Sequence, residues 1–370
     1  MLFKGIIIYK VSANLHSDMI YMELSKHTEV VLCTQSTEFR EHGTLQLGNV
    51  IIIKLNAIDD IPNHLRNNPN YLHVGPTKLV KGFNDLSYAC FKSAIKSGCQ
   101  AMALNIEQYP WWVGIKGFFR RLQWCLIYNF FLCRKIKAIG CQGESGIKAY
   151  RKAFVHKKRM FEYMYCSPNV LNENSSYPQL PDFQFTFIGQ LTPRKCILPI
   201  IQTLKSTNWD FKLNIIGKGE EEQDVKELIE DDPRFLLLGH KSIPEVQIIL
   251  EQTDCLILPS SFDGWGAVVS EALTHGCRCI VSTGAGSHSL IRQTNYGKVF
   301  KLNDWKEFKT CAQTELLRGK LSIDERNEIK SFGQKIAPKA IAEYLLNVIN
   351  YYYNESSNEP KPTAPWKILK

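Results

Sequence analysis

Short apolar runs alternate with amphipathic stretches through the second half of the chain. Five runs are typical of buried strands: Phe183–Ile188, Phe211–Ile216, Phe235–Leu238, Cys255–Leu258 and Cys279–Ser282. Helical periodicity falls between them, in Gln223–Glu230, Pro244–Leu250 and Val268–His275. Strands separated by helices of this size predict an α/β fold with a parallel sheet built from βαβ crossovers.

The first half alternates less regularly. Asn49–Leu55 and Ala101–Ile106 are typical of strands, whereas Pro76–Ser97 and Lys116–Arg134 favour helices. Between the two halves, residues 167–182 contain three prolines among Asn and Ser, a composition typical of a domain boundary. The pattern predicts two α/β domains with these bounds: a first domain over 1–166, a linker over 167–182, a second domain over 183–336, a helix over 337–352 that packs back on the first domain, and a tail over 353–370.

Composition and charge indicate the expected cellular location of the protein and the charge of its surface. The 370 residues contain no apolar run of the ~20 residues needed to span a bilayer, and the first residues lack the features of a secretory signal, so we expect a cytoplasmic protein. The net charge of +9 is uneven, because residues 1–170 hold 22 basic against 11 acidic residues and the remainder holds 23 against 25. The first domain therefore carries a positive face.

The basic residues of this face concentrate in Lys116–Lys137, where cations and aromatic residues are interleaved. One interpretation is a helix that lies on an anionic membrane, which would make the protein peripheral at the inner membrane face. Another is a core-packed helix with a solvated basic side. No recognised nucleic-acid module accompanies the stretch, so a nucleic-acid partner is not expected.

The segment with the clearest chemistry runs from Ser260 to Leu273. Asp263 lies in a turn after an apolar strand, and Glu271 lies in a helix that is predicted to begin near Gly266. Backbone N–H groups at a helix start favour phosphate, and carboxylates on either side can bind hydroxyls of a ribose and of a sugar. The arrangement therefore predicts a site for a nucleotide-sugar, with donor contacts from Gly264, Trp265, Gly266, Ala267 and Val268 beside the two acids.

Loops after other strands add candidate ligands for a diphosphate. Arg194 and Lys195 end the loop that follows the first strand of the second domain, where they could neutralise a leaving nucleoside diphosphate. Further donor contacts are expected from loop residues Gly189, Gln190, Gly217, Lys218, Gly219 and His240. On the acceptor side, the candidate acids are Glu107 and Glu144. The twelve cysteines and nine histidines form no ligand cluster, and we expect neither a metal site nor a cofactor.

Residues 183–305 resemble the donor domain of retaining glycosyltransferases of family 4, which have the GT-B fold of two Rossmann-like domains facing a central cleft. The motifs that carry the resemblance are Gly189 with Arg194-Lys195, Gly217-Lys218-Gly219, Asp254–Ser260, Asp263–Gly266 and Glu271-Ala272-Leu273. The chain looks most like bacterial enzymes that assemble capsular, exopolysaccharide or O-antigen units. Asp263 stands where the family usually has Glu, and Gln190 where an Arg is common.

The resemblance implies transfer of a sugar from a UDP- or GDP-type donor to a hydroxyl of a lipid-linked or oligosaccharide acceptor, with retained anomeric configuration and without a metal. It makes Asp263, Glu271, Lys195 and Arg194 the expected catalytic residues. A nucleotide-sugar epimerase and a non-catalytic subunit that binds a nucleotide-sugar remain as alternatives. An NAD(P) oxidoreductase is disfavoured, because Gly217-Lys218-Gly219 lacks the third glycine of the dinucleotide fingerprint.

Overall fold

The computed structural model describes residues 2–12, 15–36, 38–39, 43–44, 47–75, 85–106, 114–126, 129–130, 135–166, 180–356 and 358–367. The chain divides into two compact units. Unit 1 comprises Met1–Pro168 and Pro338–Pro365, and unit 2 comprises Asn169–Ala337 and Trp366–Lys370.

Unit 1 is built on a parallel sheet of seven strands. The strands of unit 1, including a separate antiparallel pair β3–β4, are β1 (Gly5–Ser12), β2 (Glu29–Ser36), β3 (Glu38–Phe39), β4 (Gly43–Thr44), β5 (Ile51–Lys54), β6 (Tyr71–Gly75), β7 (Ala101–Ile106), β8 (Ile136–Gln142) and β9 (Met160–Tyr163). Their order in the large sheet is β5-β2-β1-β6-β7-β8-β9. The helices that accompany them are α1 (Leu15–Leu24), α2 (Leu86–Lys96), α3 (Gly114–Leu126) and α4 (Gly143–Lys152).

Unit 2 contains a parallel sheet of six strands, in the order β12-β11-β10-β13-β14-β15. These strands are β10 (Gln184–Ile188), β11 (Lys212–Ile216), β12 (Phe235–Gly239), β13 (Cys255–Leu258), β14 (Arg278–Ser282) and β15 (Gly297–Phe300). The helices are α5 (Ile197–Lys205), α6 (Glu222–Ile229), α7 (Ile243–Gln252), α8 (Ala267–Thr274), α9 (His288–Arg292), α10 (Trp305–Arg318) and α11 (Ile323–Gln334). All five strands predicted here are present, with bounds shifted by one residue at most.

The core explains why the strands of unit 2 could be predicted from the sequence. Helices cover both faces of a parallel sheet, so its strands are continuous apolar runs rather than alternating ones. β13 is buried along its whole length, and Phe185 and Phe187 of the neighbouring β10 are fully buried in the same core, as is Ile215 of β11. The buried Asp254 carboxylate accepts the backbone N–H groups of Gln184 and Leu321, both at 2.9 Å, and so fixes the start of β13.

The last helix, α12 (Pro338–Tyr353), packs on unit 1 although the helix before it in sequence belongs to unit 2. Tyr353 donates its hydroxyl to the carbonyl of Ala101 at 2.6 Å, and its ring meets Phe3 edge-on. Beyond α12 no regular element is assigned in the described residues. Trp366 is only 2% exposed, and its carbonyl accepts a bond from Gln293 within unit 2.

A buried histidine in unit 1 gives the fold a pH dependence. His73 on β6 is fully buried; its Nε2 donates to the carbonyl of Asn68, so Nδ1 of the neutral ring accepts the hydroxyl of Tyr9. Burial lowers the pKa of His73 below its ordinary 6.5. As the pH falls below about 6.5, this histidine binds a proton in the unfolded chain but not in the folded chain. The free energy of unfolding therefore decreases as the pH falls.

We expect the urea midpoint of unfolding to decrease between about pH 7 and pH 5.5. The decrease should be smaller in His73→Gln, since that variant has no imidazole to titrate. Equal pH slopes for the two proteins would show that His73 does not contribute.

Candidate active site

The strand order of unit 2 reverses direction between the neighbouring strands β10 and β13. From β10 the chain winds outward through β11 and β12, and from β13 it winds the other way through β14 and β15. The loops that follow β10 and β13 therefore lie side by side at the carboxyl ends of the strands, where the strand order reverses. Ligands bind at this switch point in open α/β sheets.

An ion pair connects the two loops at the switch point. Lys195 Nζ, after β10, lies 2.6 Å from Asp263 Oδ2, after β13. The side chains are 12% and 18% exposed, so the pair is largely shielded yet reachable from solvent. Two residues that the sequence predicted as site residues from separate motifs are thus in direct contact.

Arg194 fastens the same two loops together through backbone bonds. Its guanidinium donates to the carbonyl of Phe262 at 2.7 Å. Its own carbonyl accepts the backbone N–H of Ser261 at 2.8 Å and the hydroxyl of Ser261 at 3.0 Å. The Arg194 side chain remains exposed, so its remaining N–H groups can meet a ligand.

Cys196 marks a strained backbone that sequence reasoning missed. It follows Lys195 in the left-handed region, at φ 54° and ψ 39°, and α5 begins at the next residue. Such a conformation in a residue other than glycine costs ~1–3 kcal/mol and concentrates at functional sites. Here it reverses the chain directly after the two cations. Cys196 carries no motif that would have identified it from the sequence.

Helix α8 begins at the turn that carries Asp263. Gly266 is its N-cap at φ 82°, a left-handed conformation that favours glycine. Helix geometry leaves the backbone N–H groups of Ala267 and Val268 without an intrahelical acceptor at the positive end of the helix dipole, whereas the N–H of Val269 donates to the carbonyl of Gly266 at 3.0 Å. The Trp265 ring is 1% exposed and donates Nε1–H to Ser270 at 3.2 Å, so it supports the turn from inside.

Glu271 lies one helical turn beyond the start of α8 and is partly exposed. Its backbone carbonyl accepts Nδ1–H of the buried His275 at 2.8 Å, which fixes the local turn of the helix. Burial lowers the pKa of His275, so this ring is neutral at pH 7. The turn after β13 and helix α8 therefore carry Asp263, the first N–H groups of the helix and Glu271 in one continuous segment.

The Gly-x-Gly motif after β11 packs against the loop after β10. A Cβ on Gly217, whose φ is 142°, would lie 1.9 Å from the carbonyl oxygen of Gly189, and one on Gly219 would lie 2.2 Å from that of Leu191. Both glycines are therefore required by the close approach of two loops. Lys218 between them is exposed, as is Gln190 on the facing loop.

The other predicted residues are placed as follows. Gly189 and Gly264 lie on the two switch-point loops and are partly exposed. His240 is exposed after β12. Glu144 lies in the first turn of α4 in unit 1, 51% exposed and 3.5 Å from Lys148. Glu107 lies outside the described residues.

Unit 1 has a charged pair of its own near the end of its first strand, β1. Lys10 near the end of β1 donates to Asp18 of α1 at 2.5 Å and to Ser17 at 2.8 Å. Asp18 is fully buried, and burial lowers the pKa of Lys10. Neither residue stood out in the sequence, because no motif surrounds them. Within the described ranges, no group of three or more His, Cys, Asp or Glu residues is placed to hold a metal ion.

Comparison with known proteins relates unit 2 to a family. Residues 172–335 match the family described as "Glycosyl transferases group 1". A segment of 135 residues, 34% of this chain and 34% of the relative, is 33% identical to the UDP-Gal:alpha-D-GlcNAc-diphosphoundecaprenol alpha-1,3-galactosyltransferase of Escherichia coli. The matched segments span between a third and about half of the length of the curated relatives.

Solved structures resemble the chain over nearly its whole length. Anabaena HepE in complex with UDP superposes with a TM-score of 0.68 at 11% identity, covering 94% of this chain and 100% of that chain. The lipopolysaccharide outer core galactosyltransferase WaaB gives 0.67 at 14% identity, covering 94% and 99%. The two parallel α/β sheets and these neighbours confirm the GT-B fold class expected from the sequence.

Proposed function

We propose that this GT-B protein, whose residues 172–335 match the group 1 glycosyl transferases, moves a sugar from a nucleoside diphosphate to an acceptor hydroxyl with retention of anomeric configuration. The observation that carries the proposal is the Lys195–Asp263 pair at the switch point, beside the start of α8. It supports the proposal because a cation, an acid and backbone N–H groups lie together at a switch point, the position at which open α/β sheets generally bind ligands.

The cationic groups act on the leaving diphosphate. Lys195 and Arg194, together with the first N–H groups of α8, are fixed before the reaction, so they stabilise the charge that develops on the diphosphate without reorganising. Because these groups supply the positive charge, we propose that the reaction proceeds without a metal ion.

The two acids act at the two ends of the donor. Asp263 accepts hydroxyl hydrogen bonds from the transferred sugar, and Glu271 accepts those of the ribose. As the bond between the anomeric carbon and the diphosphate oxygen breaks, the acceptor oxygen bonds to that carbon on the same face. The acceptor proton passes to the leaving diphosphate, so no separate protein base is needed for the balance.

The chemistry of the relatives supports a class of donor and acceptor. One relative is named for UDP-galactose and a diphosphoundecaprenol acceptor, and the HepE structure holds UDP. We propose a UDP- or GDP-sugar as donor and a lipid-diphosphate-linked saccharide as acceptor, in the synthesis of a bacterial surface polysaccharide such as a capsule or O-antigen. A lipid-linked acceptor is held in a membrane, so the enzyme must reach a bilayer surface.

Release of nucleoside diphosphate from a panel of UDP- and GDP-sugars tests the proposal. We expect the wild type to release UDP or GDP when a lipid-linked acceptor is present. Glu271→Ala should weaken donor binding about 10- to 100-fold, because the ribose loses hydrogen bonds to a charged group. Glu230→Ala, which removes an exposed acid at the end of α6, should bind donor like the wild type.

Other results would point elsewhere. Donor binding without release in any combination of donor and acceptor would favour a non-catalytic subunit, and a changed donor sugar without transfer would favour an epimerase. Normal binding by Glu271→Ala would remove Glu271 from the ribose site.

A further inference from the structure

Helix α3 exposes a stripe of large apolar side chains on the surface of unit 1. Its members and their exposed fractions are Ile115 (80%), Phe118 (56%), Phe119 (62%), Leu122 (46%) and Leu126 (44%). At 3.6 residues per turn these positions fall within an arc of about 100° on one side of the helix. An amphipathic surface helix of a globular protein normally turns such a stripe toward the core.

The opposite side of α3 is the one that packs on unit 1. Gly117 is buried, and the Trp124 ring meets the ring of buried Tyr150 edge-on at 5.5 Å. Both positions lie roughly opposite the stripe around the helix. Packing of the partly buried Trp124 on Tyr150 therefore orients α3 with its apolar stripe facing solvent, and packing among the described residues of unit 1 does not account for the stripe.

Two further exposed phenylalanines lie close in sequence to the ends of α3 and α4. Asn129 donates to the carbonyl of Phe154 at 3.2 Å and thereby joins the segment after α3 to the end of α4. Phe130 is 73% exposed and Phe154 is 75% exposed. Phe154 also has a φ of 59°, a strained conformation for a bulky residue that is not offset by burial of the ring. The five apolar side chains of the stripe on α3 are together termed the α3 surface.

The charge around the α3 surface has one sign. Lys116 and Arg121 lie on either side of the stripe, and the sequence contains no acidic residue between Glu107 and Glu144. The predicted basic segment Lys116–Lys137 is only partly available, however. Lys135 donates to the carbonyl of Ile95 at 2.7 Å, and Lys137 lies 3.2 Å from a carboxylate oxygen of Glu355.

We propose that the α3 surface inserts into the headgroup region of an anionic lipid bilayer. The exposed aromatic and aliphatic side chains suit the boundary of the acyl chains, and the cations beside them suit the negative headgroups. A second copy of this chain fits less well, since it would bring Lys116 and Arg121 against their own counterparts. Among the described residues, no helix is both long and apolar enough to cross a membrane. The inference concerns unit 1 alone and does not depend on the proposed reaction.

Vesicle flotation with the full chain tests the proposal. The wild type should bind vesicles that contain phosphatidylglycerol, more weakly at high salt, and should bind pure phosphatidylcholine poorly. Phe118→Ser/Phe119→Ser should lower the partition constant roughly tenfold or more, because two exposed aromatic rings are removed from the interface. Lys116→Gln/Arg121→Gln should lower it at low salt and remove most of the salt dependence.

Matched controls separate the α3 surface from general effects. Leu317→Ser/Ile323→Ser removes two exposed apolar residues of unit 2 (82% and 71%), and Lys157→Gln/Lys158→Gln removes two exposed charges elsewhere on unit 1. Both controls should bind like the wild type. The proposal is overturned if the wild type does not bind anionic vesicles, if the controls lose as much binding as the α3 variants, or if Phe118→Ser/Phe119→Ser instead converts a dimer to a monomer.

Nucleotide release from the donor in the absence of vesicles distinguishes this proposal from the proposed function. We expect Phe118→Ser/Phe119→Ser to retain release with a water-soluble acceptor analogue. If this variant loses vesicle binding but keeps such release, the result supports membrane binding by the α3 surface whatever the natural acceptor is. If the wild type binds vesicles but transfers no sugar, the α3 surface is supported and the proposed reaction is not.

Discussion

Lys195→Ala is expected to reduce kcat for sugar transfer by about 10²–10³-fold, or ~3–4 kcal/mol of barrier. Lys195 is held against Asp263 at 2.6 Å in a largely shielded position, where a fixed cation stabilises developing charge more strongly than it would in water. The effect should appear mainly in kcat, because the charge on the diphosphate grows in the transition state.

The matched control for Lys195 is Lys205→Ala, which breaks another lysine–aspartate pair of unit 2, with Asp231, at the end of α5. We expect its kcat to equal that of the wild type. Asp263→Asn separates two roles for Lys195. If Lys195 only positions Asp263, then Lys195→Ala, Asp263→Asn and the double variant should have the same kcat. A further loss in the double variant would show that Lys195 acts on the diphosphate itself.

Glu315→Ala is expected to lower the free energy of unfolding by ~3–5 kcal/mol. Glu315 and Arg278 are both 0% exposed, and Glu315 Oε2 lies 2.9 Å from an Arg278 guanidinium nitrogen. Removing the acid leaves the Arg278 charge buried at the start of β14, with Glu325 at 3.5 Å as its remaining acidic neighbour. Urea unfolding followed by tryptophan fluorescence measures the loss, since Trp209, Trp265, Trp305 and Trp366 all belong to unit 2.

Two comparisons test the cause of that destabilisation. Glu222→Ala breaks the surface pair with Lys226 and should leave the free energy of unfolding almost unchanged. Arg278→Met/Glu315→Leu removes both buried charges and should be more stable than Glu315→Ala, because no unpaired charge remains. A loss below ~1 kcal/mol for Glu315→Ala would contradict the assignment.

The sequence predicted unit 2 well for a physical reason. Its four central strands are buried on both faces and end at glycine or at a polar turn, so apolar runs such as Cys255–Leu258 coincide with the strands that form. The start of α8 was also predictable, since Gly266 follows a strand and precedes a helical pattern. The contact between Lys195 and Asp263 was not, because it depends on β10 and β13 being neighbours in the sheet.

Unit 1 was harder to predict because its signals are weak or overlap. Helix α1 has the sequence LHSDMIYMEL, in which polar and apolar residues show no clear helical period. Strand β9 has four residues, too few for a periodic pattern. The helix predicted over Lys116–Arg134 is assigned only over Gly114–Leu126, with 127–128 and 131–134 outside the described residues, and Lys135 precedes β8. Basic residues adjacent in sequence thus belong to different elements.

The path of the chain limits how such a protein can be recombined. Unit 1 is completed by α12, which lies after all the strands of unit 2 in the sequence, and Trp366 then returns the chain to unit 2. A single crossover that exchanged unit 2 for the unit 2 of a relative would also import the relative's last helix. The residue of that helix at the position of Tyr353 would then have to make the hydrogen bond to the carbonyl of Ala101. A functional chimera therefore needs junctions on both sides of α12, so that the transplanted segment leaves the native closing helix in place.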